Sequence, residues 1–186
     1  MRNIVRLGWL FVMVFFLGVS YAAAPCPGKG GIFSSPAKKY DYDSILVKRA
    51  VDGDTVLLEN GDRVRLIGID TPECHESQKL YRDSRRTKQD VSTIKEMGKK
   101  AAAFTKKLVE GKKVRLEFDV ERKDKYGRLL AYLYLPDGTF VNAEIVANGF
   151  ASLMTIPPNV KYSEQLRACY KDARENRRGL EELIAT

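Results

Sequence analysis

VDGDTVLLENGDRVRLIGIDTPE, residues 51–73, is the stretch that decides the fold. Thr55 to Leu58 reads as a short strand and Arg63 to Ile69 as another. Asn60-Gly61 between them is the dipeptide best suited to a tight hairpin, because both central positions of such a turn need positive φ. Upstream, Ser44 to Val51 also has strand character, so three antiparallel strands are expected in succession. Downstream, Val114, Leu116 and Phe118 alternate with Arg115, Glu117 and Asp119, as in a half-buried strand. Leu129 to Leu135 supplies a fifth strand, stopped by Pro136-Asp137-Gly138.

Helical periodicity fills the gaps. Ile94, Met97, Ala101, Phe104, Leu108 and Val109 recur at helical spacing, and Gly111 stands where that helix would stop. Val141 to Asn148, followed by Gly149, predicts a short helix, and Tyr162 to Arg178 a longer one closed by Gly179. Cys74 to Lys95 is polar, clusters Arg82, Arg85, Arg86 and Lys88, and reads as a long surface loop, either functional or disordered. Five short strands and three helices in this order suit an α+β domain built on a five-stranded Greek-key β-barrel of the oligonucleotide-binding type (OB-fold), with other α+β packings left open by propensity alone.

The 186 residues are enough for one domain with a sizeable core. Residues 40–182 are assigned to it. Residues 1–22 read as a signal peptide: Arg2 and Arg6 precede an uncharged apolar run from Leu7 to Val19, and Ser20-Tyr21-Ala22 offers small residues at the cleavage positions. The run is short for a membrane anchor, so an exported protein is expected. Residues 23–39, rich in Pro, Gly and Ser, form a flexible leader. The formal net charge is +8, and losing Arg2 and Arg6 leaves +6. Such a surface attracts polyanions but specifies no chemistry. Of the three cysteines, Cys26, Cys74 and Cys169, the two in the domain body are the favoured disulfide pair in an oxidising compartment.

Carboxylates gather around the second and third strands. Asp52 and Asp54 flank Gly53, and Asp70-Thr71-Pro72-Glu73 follows the third strand. Carboxylates at neighbouring strand ends suit a hard cation with all-oxygen ligands, calcium or magnesium, and Pro72 biases Thr71 to an extended conformation that can turn its carbonyl towards the ion. Each motif alone is more simply a turn or a helix start. Arg65 interrupts an apolar strand, where a permanent charge demands an anion. Strict alternation puts it on the face of Ile67 and Ile69, reaching a carboxylate or a substrate phosphate. Arg128, after Asp124-Lys125-Tyr126-Gly127, is a second clamp or an ordinary turn charge. Two arginines and a cation would neutralise a phosphodiester and its pentacoordinate transition state. The single histidine, His75, excludes acid–base transfer between two imidazoles. Glu73 is left to orient or deprotonate a water.

Val51 to Thr55, Arg65, Ile69 to Glu73, Ala103-Phe104-Thr105-Lys106-Lys107 and Asp124 to Arg128 together resemble the staphylococcal nuclease (thermonuclease) family in order and approximate spacing, over about Ser44 to Leu180. The resemblance implies a five-stranded OB-fold barrel with three helices, and calcium-dependent hydrolysis of DNA and RNA; a monomer with no obligate protein partner is expected. It also implies that Asp54 and Asp70 ligate Ca2+ by side chain and Thr71 by its carbonyl, with Asp52 close by. Arg65, Glu73 and Arg128 would be catalytic, and Lys125 and Tyr126 would contact a terminal nucleotide phosphate. Two departures are visible. Met154-Thr155-Ile156-Pro157-Pro158 lacks the family's pair of tyrosines after the second helix, and the loop after Glu73 is longer and more basic. A non-catalytic nucleic-acid-binding barrel is the alternative expectation.

Overall fold

Five strands close into a barrel in the order β1-β2-β3-β6-β5, seen in a computed structural model that describes residues 41–180. The expected signal peptide (1–22), leader (23–39) and Cys26 lie outside the described residues. β1 (Ile45–Asp52) pairs antiparallel with β2 (Thr55–Leu58), which pairs antiparallel with β3 (Arg63–Leu66); the connection is longer than the expected two-residue turn, with only Gly61 at positive φ and Asn60 Oδ1 accepting from Asp62 N. β5 (Lys113–Glu117) and β6 (Leu129–Tyr134) are antiparallel neighbours. A parallel β3–β6 pairing and an antiparallel β1–β5 pairing close the barrel. Val47, Val56, Leu58, Val64, Val114, Ala131 and Leu133 fill its interior, each buried. The α+β barrel expected from the strand pattern is therefore the observed architecture.

The third strand ends earlier than alternation suggested. Gly68 has φ +83°, and there the chain leaves the barrel to form β4 (Gly68–Asp70), which pairs with a strand the sequence did not announce, β7 (Ser152–Met154). A Cβ at Gly68 would lie 2.4 Å from Leu166 Cδ1, so only glycine fits both the dihedral and the packing. The bend resets the alternation. Ile69 joins Val64 and Leu66 in the core cluster instead of sharing a face with Arg65. Buried Asn142 holds the bend, donating from Nδ2 to the Ile67 carbonyl at 2.9 Å while its Oδ1 accepts from Leu133 N at 3.0 Å.

Four helices are described where three were expected. α2 (Val91–Val109), α3 (Val141–Ala147) and α4 (Ser163–Glu175) answer the periodicities. The addition, α1 (Gln78–Thr87), stands inside the segment read as a loop. Its apolar signal is a single side chain, Leu80, which is fully buried. Its ends are fixed by Ser77 Oγ accepting from Leu80 N at 3.1 Å and by Lys88 in the left-handed conformation at φ 57°. Capping and one anchor residue make the helix, and neither registers as a hydrophobic period.

Candidate active site

The hairpin register sets Thr55 opposite Arg65, which carries Arg65 alongside the preceding residue, Asp54. Its guanidinium pairs with Asp54 through Nη1. Nη2 donates to Asp70 Oδ1 at 2.8 Å and to the Ile69 carbonyl at 3.1 Å. Asp54 also accepts from Thr55 Oγ1 at 3.0 Å, from Thr71 N at 3.0 Å and from Thr71 Oγ1 at 3.1 Å. One carboxylate thus ties the β1–β2 turn, β3 and the end of β4 together. Asp54, Asp70 and Thr71 are 5%, 9% and 2% exposed, so these bonds form where water screens them little. Burial pushes the Arg65 pKa down; Asp70 opposes that shift and Arg128 adds to it. Guanidinium basicity starts so high that the group stays charged. Nη1, though paired by charge, has no aligned hydrogen-bond acceptor, and it is the only buried side-chain nitrogen or oxygen among the described residues in that condition.

The backbone around these groups is held by residues to which the sequence gave no individual role. Thr105 of α2, itself fully buried, donates from Oγ1 to the Gly53 carbonyl at 2.6 Å. A Cβ on Gly53 would lie 2.7 Å from Thr71 Oγ1, so the Asp52-Gly53-Asp54 turn can press against Thr71 only as glycine. Gly98, also on α2, plays the same part for Glu73: a Cβ there would lie 2.5 Å from the Glu73 carbonyl carbon and 2.6 Å from Cys74 N. α2 is therefore the platform on which both the Asp54 turn and the Glu73 backbone rest. Nothing in a one-dimensional pattern distinguishes Gly98 from a tolerated helix glycine.

Asp124 to Arg128 is a self-contained turn. Asp124 Oδ1 accepts from Tyr126 N at 2.9 Å and Arg128 N at 3.0 Å, and Oδ2 accepts from Arg128 Nε at 2.7 Å. Burial alone would raise the Asp124 pKa, but the hydrogen bonds from Arg128 and the turn amides hold it below the usual carboxylate value. Tyr126 is 72% exposed, with Lys125 Nζ 5.1 Å and the Arg128 guanidinium 5.6 Å from its ring centroid.

These groups share one hollow of about 670 Å3. Asp52, Asp54, Arg65, Asp70 and Glu73 line it together with Lys125, Tyr126 and Arg128. Every sequence-nominated residue except Thr71 faces this space, and Thr71 is bonded to Asp54 just beneath it. His75 is exposed and does not line it. Met154 and Ile156, from the stretch lacking tyrosines, supply an apolar rim.

Both aspartates converge on the Arg65 guanidinium, so an ion held by them would share their oxygens with that group. Carboxylate and carbonyl oxygens suit a hard divalent ion over zinc. Among the described residues no three His, Cys, Asp or Glu side chains gather as a metal cluster. An ion here would therefore rely on the carbonyl and on water to complete its shell. The residues present fit such an ion on those terms.

The favoured disulfide is not formed. Cys74 and Cys169 are both free thiols. Cys74 lies in the loop beside Asp52, where burial first and that carboxylate second push its pKa up to about 11. Cys169 sits on α4, packed against the hydrophobic core. The two occupy different environments that sequence position could not separate.

Comparison with known proteins bears on this geometry. A family model described as staphylococcal nuclease homologue matches residues 63–181. Thermonuclease of Staphylococcus intermedius is 38% identical over 148 residues, covering 78% of this chain and 80% of that protein. Thermonuclease of Staphylococcus hyicus is 31% identical over 170 residues, covering 90% of each. Endonuclease YncB of Bacillus subtilis (strain 168) is 37% identical over 139 residues, 72% of this chain and 59% of that protein. Asp52 and Asp54 precede the family-model match, yet Asp54 is bonded to Arg65 and Thr71 inside it.

Proposed function

The chain belongs to the staphylococcal nuclease family, and from that premise we propose that it hydrolyses phosphodiester bonds of DNA or RNA in a calcium-dependent reaction. One observation carries the reading: buried Asp54 and Asp70 meet at the Arg65 guanidinium in a hollow that also collects Glu73, Arg128, Lys125 and the exposed Tyr126. That combination matches the needs of phosphoryl chemistry: a place for a hard ion, a carboxylate for water, and fixed positive charge for the transition state.

Asp54, Asp70 and the Thr71 carbonyl would hold the ion, which when bound supplies a fixed positive charge to polarise a phosphoryl oxygen. Glu73 orients the attacking water or takes its proton as the water oxygen bonds to phosphorus and an ester P–O bond breaks. Arg65 and Arg128 donate to the non-bridging oxygens, whose negative charge grows in the pentacoordinate state. Lys125 and Tyr126 hold a neighbouring phosphate.

Export and action as a monomer belong to the same proposal. They are checked by N-terminal sequencing of the mature chain, expected to begin near Ala23, and by light scattering. The activity is tested by incubating purified protein with DNA in calcium and then in chelator. Digestion is expected only in calcium, and Glu73→Ala is expected to reduce turnover by about 10²–10⁴, the usual contribution of such a carboxylate. Undiminished digestion by the variant would remove Glu73 from the mechanism, and no digestion by the wild-type chain would leave a binding barrel.

A further inference from the structure

α1 segregates its charge. It carries Lys79, Arg82, Arg85 and Arg86 against one acidic residue, Asp83, with Lys88 just beyond its end. Arg82 is exposed and lines the same hollow as Asp54, Arg65 and Glu73. The adjacent Asp83, about 100° further round the helix, lines a neighbouring cavity of about 260 Å3 that reaches Asp70 and Thr71 from the α2 and α4 side, so it does not neutralise Arg82 within the hollow. Arg65 and Arg128 each hold a carboxylate, whereas Arg82, like Arg63 at the edge of the same hollow, forms no ion pair among the described residues; Arg63 stands on barrel strand β3 and Arg82 on the capped helix α1. Position is fixed by the buried Leu80, the Ser77 cap and the bond from Ser84 Oγ to the Gln89 carbonyl at 2.7 Å. Arg82 is thus an unpaired donor on an anchored element.

We propose that Arg82 binds a phosphate of the polynucleotide strand beyond the one being cut, so that α1 and the Asp124–Arg128 turn grip the chain at two separate places and favour polymers over dinucleotides. The proposal rests on the phosphodiesterase reading above. In it Arg82 sets specificity and contributes little to bond breaking, because Arg65 and Arg128 already supply the charge on the reacting phosphate. A guanidinium replaces counterions along the strand, so its contribution fades with salt.

The test uses the whole chain with Arg82→Ala and Arg82→Lys variants. Binding of a fluorescein-labelled single-stranded DNA of about twelve nucleotides is followed by anisotropy in chelator across a potassium chloride series. Arg82→Ala is expected to weaken binding about three- to tenfold at low salt and to lower the slope of log K against log salt by about 0.7, the single-strand value for one phosphate contact. Arg82→Lys should restore the slope. In calcium, KM for the same oligonucleotide should rise about three- to tenfold while kcat moves less than about twofold, and the loss should vanish on a dinucleotide too short to reach α1. An unchanged slope, or a kcat loss of equal size on oligonucleotide and dinucleotide, would overturn the assignment. Circular dichroism separates either result from unfolding. A chain that shows the Arg82-dependent slope yet cuts nothing sinks the nuclease reading and leaves this one standing; a chain that cuts normally with an unchanged slope does the reverse.

Discussion

Of the arginines that line the hollow, Arg65 and Arg128 are held by carboxylates, and the fold secures them by opposite means. Arg65 is mostly but not fully buried and held by Asp54 and Asp70 on different elements, in a cluster that also binds the Thr71 backbone. Arg128 is half-exposed and held by Asp124, four residues away in the same turn. The first is a tertiary knot at the barrel end, the second a local module set into its wall. The contrast teaches that the site has one half in which stability and function share the same bonds, and another in which function can be altered at little structural cost.

Asp54→Ala attacks the knot directly and should have the largest effect. It strips an acceptor from Thr55 and Thr71 and a counter-charge from Arg65, leaving buried donors unpaired, for a loss of about 3–5 kcal/mol. Urea denaturation should show this together with loss of DNA digestion. A variant that kept full stability would dissolve the distinction between the two halves. Gly98→Ala probes the same half from below. The new methyl group meets the Glu73 backbone, and the overpacking should cost about 1–3 kcal/mol, offset in part by the gain in helix propensity, up to about 1 kcal/mol. Its diagnostic feature is a fall in kcat larger than the stability loss explains, because Glu73 is displaced while its side chain is intact.

The local half should respond less. Asp124→Asn weakens the Arg128 bond and the turn amides, at about 1 kcal/mol, with reduced activity and a distinct pH signature. The folded-state pKa of Asp124 lies below its ordinary value, so its contribution is fully present above the unfolded pKa of about 3.9 and is lost as pH falls through the lower folded value. The stability gap between wild type and variant should therefore be constant near neutrality and close below about pH 4. Lys125→Ala should shift stability by less than about 0.5 kcal/mol and raise KM for DNA, measured by initial rates. A large drop in melting temperature would show that the turn belongs to the knot after all.

The same contrast explains what could be read in advance. Asn60-Gly61, the alternation of Val114 to Phe118 and the helical spacing from Ile94 to Val109 announced the barrel and α2 because each is a local dihedral or periodic signal. The candidate residues were legible as residue types in motifs: Asp124 to Arg128 is a turn whose bonds are all internal, and it stands where its sequence put it. Gly68, by contrast, carries no mark of a strand break. Its role depends on Leu166 and on Asn142, which are distant along the chain. α1 escaped notice because one buried leucine and a serine cap hold it, and β7 because three residues without a period are too few to announce a strand.

By itself the sequence determined the order of the strands, the placement of carboxylates and arginines at their ends, and the internal architecture of the Asp124 turn, since these follow from backbone preferences and bonds spanning a few residues. Only the tertiary structure decided that Asp54 and Asp70 converge on one guanidinium, that Gly53 and Gly98 let the turn and Glu73 approach Thr71 and α2, and that Arg82 enters the hollow while Asp83 lines the neighbouring cavity. Those outcomes depend on close contact between segments far apart in the chain, where a tenth of a nanometre decides whether a side chain fits, and no local pattern encodes such a distance.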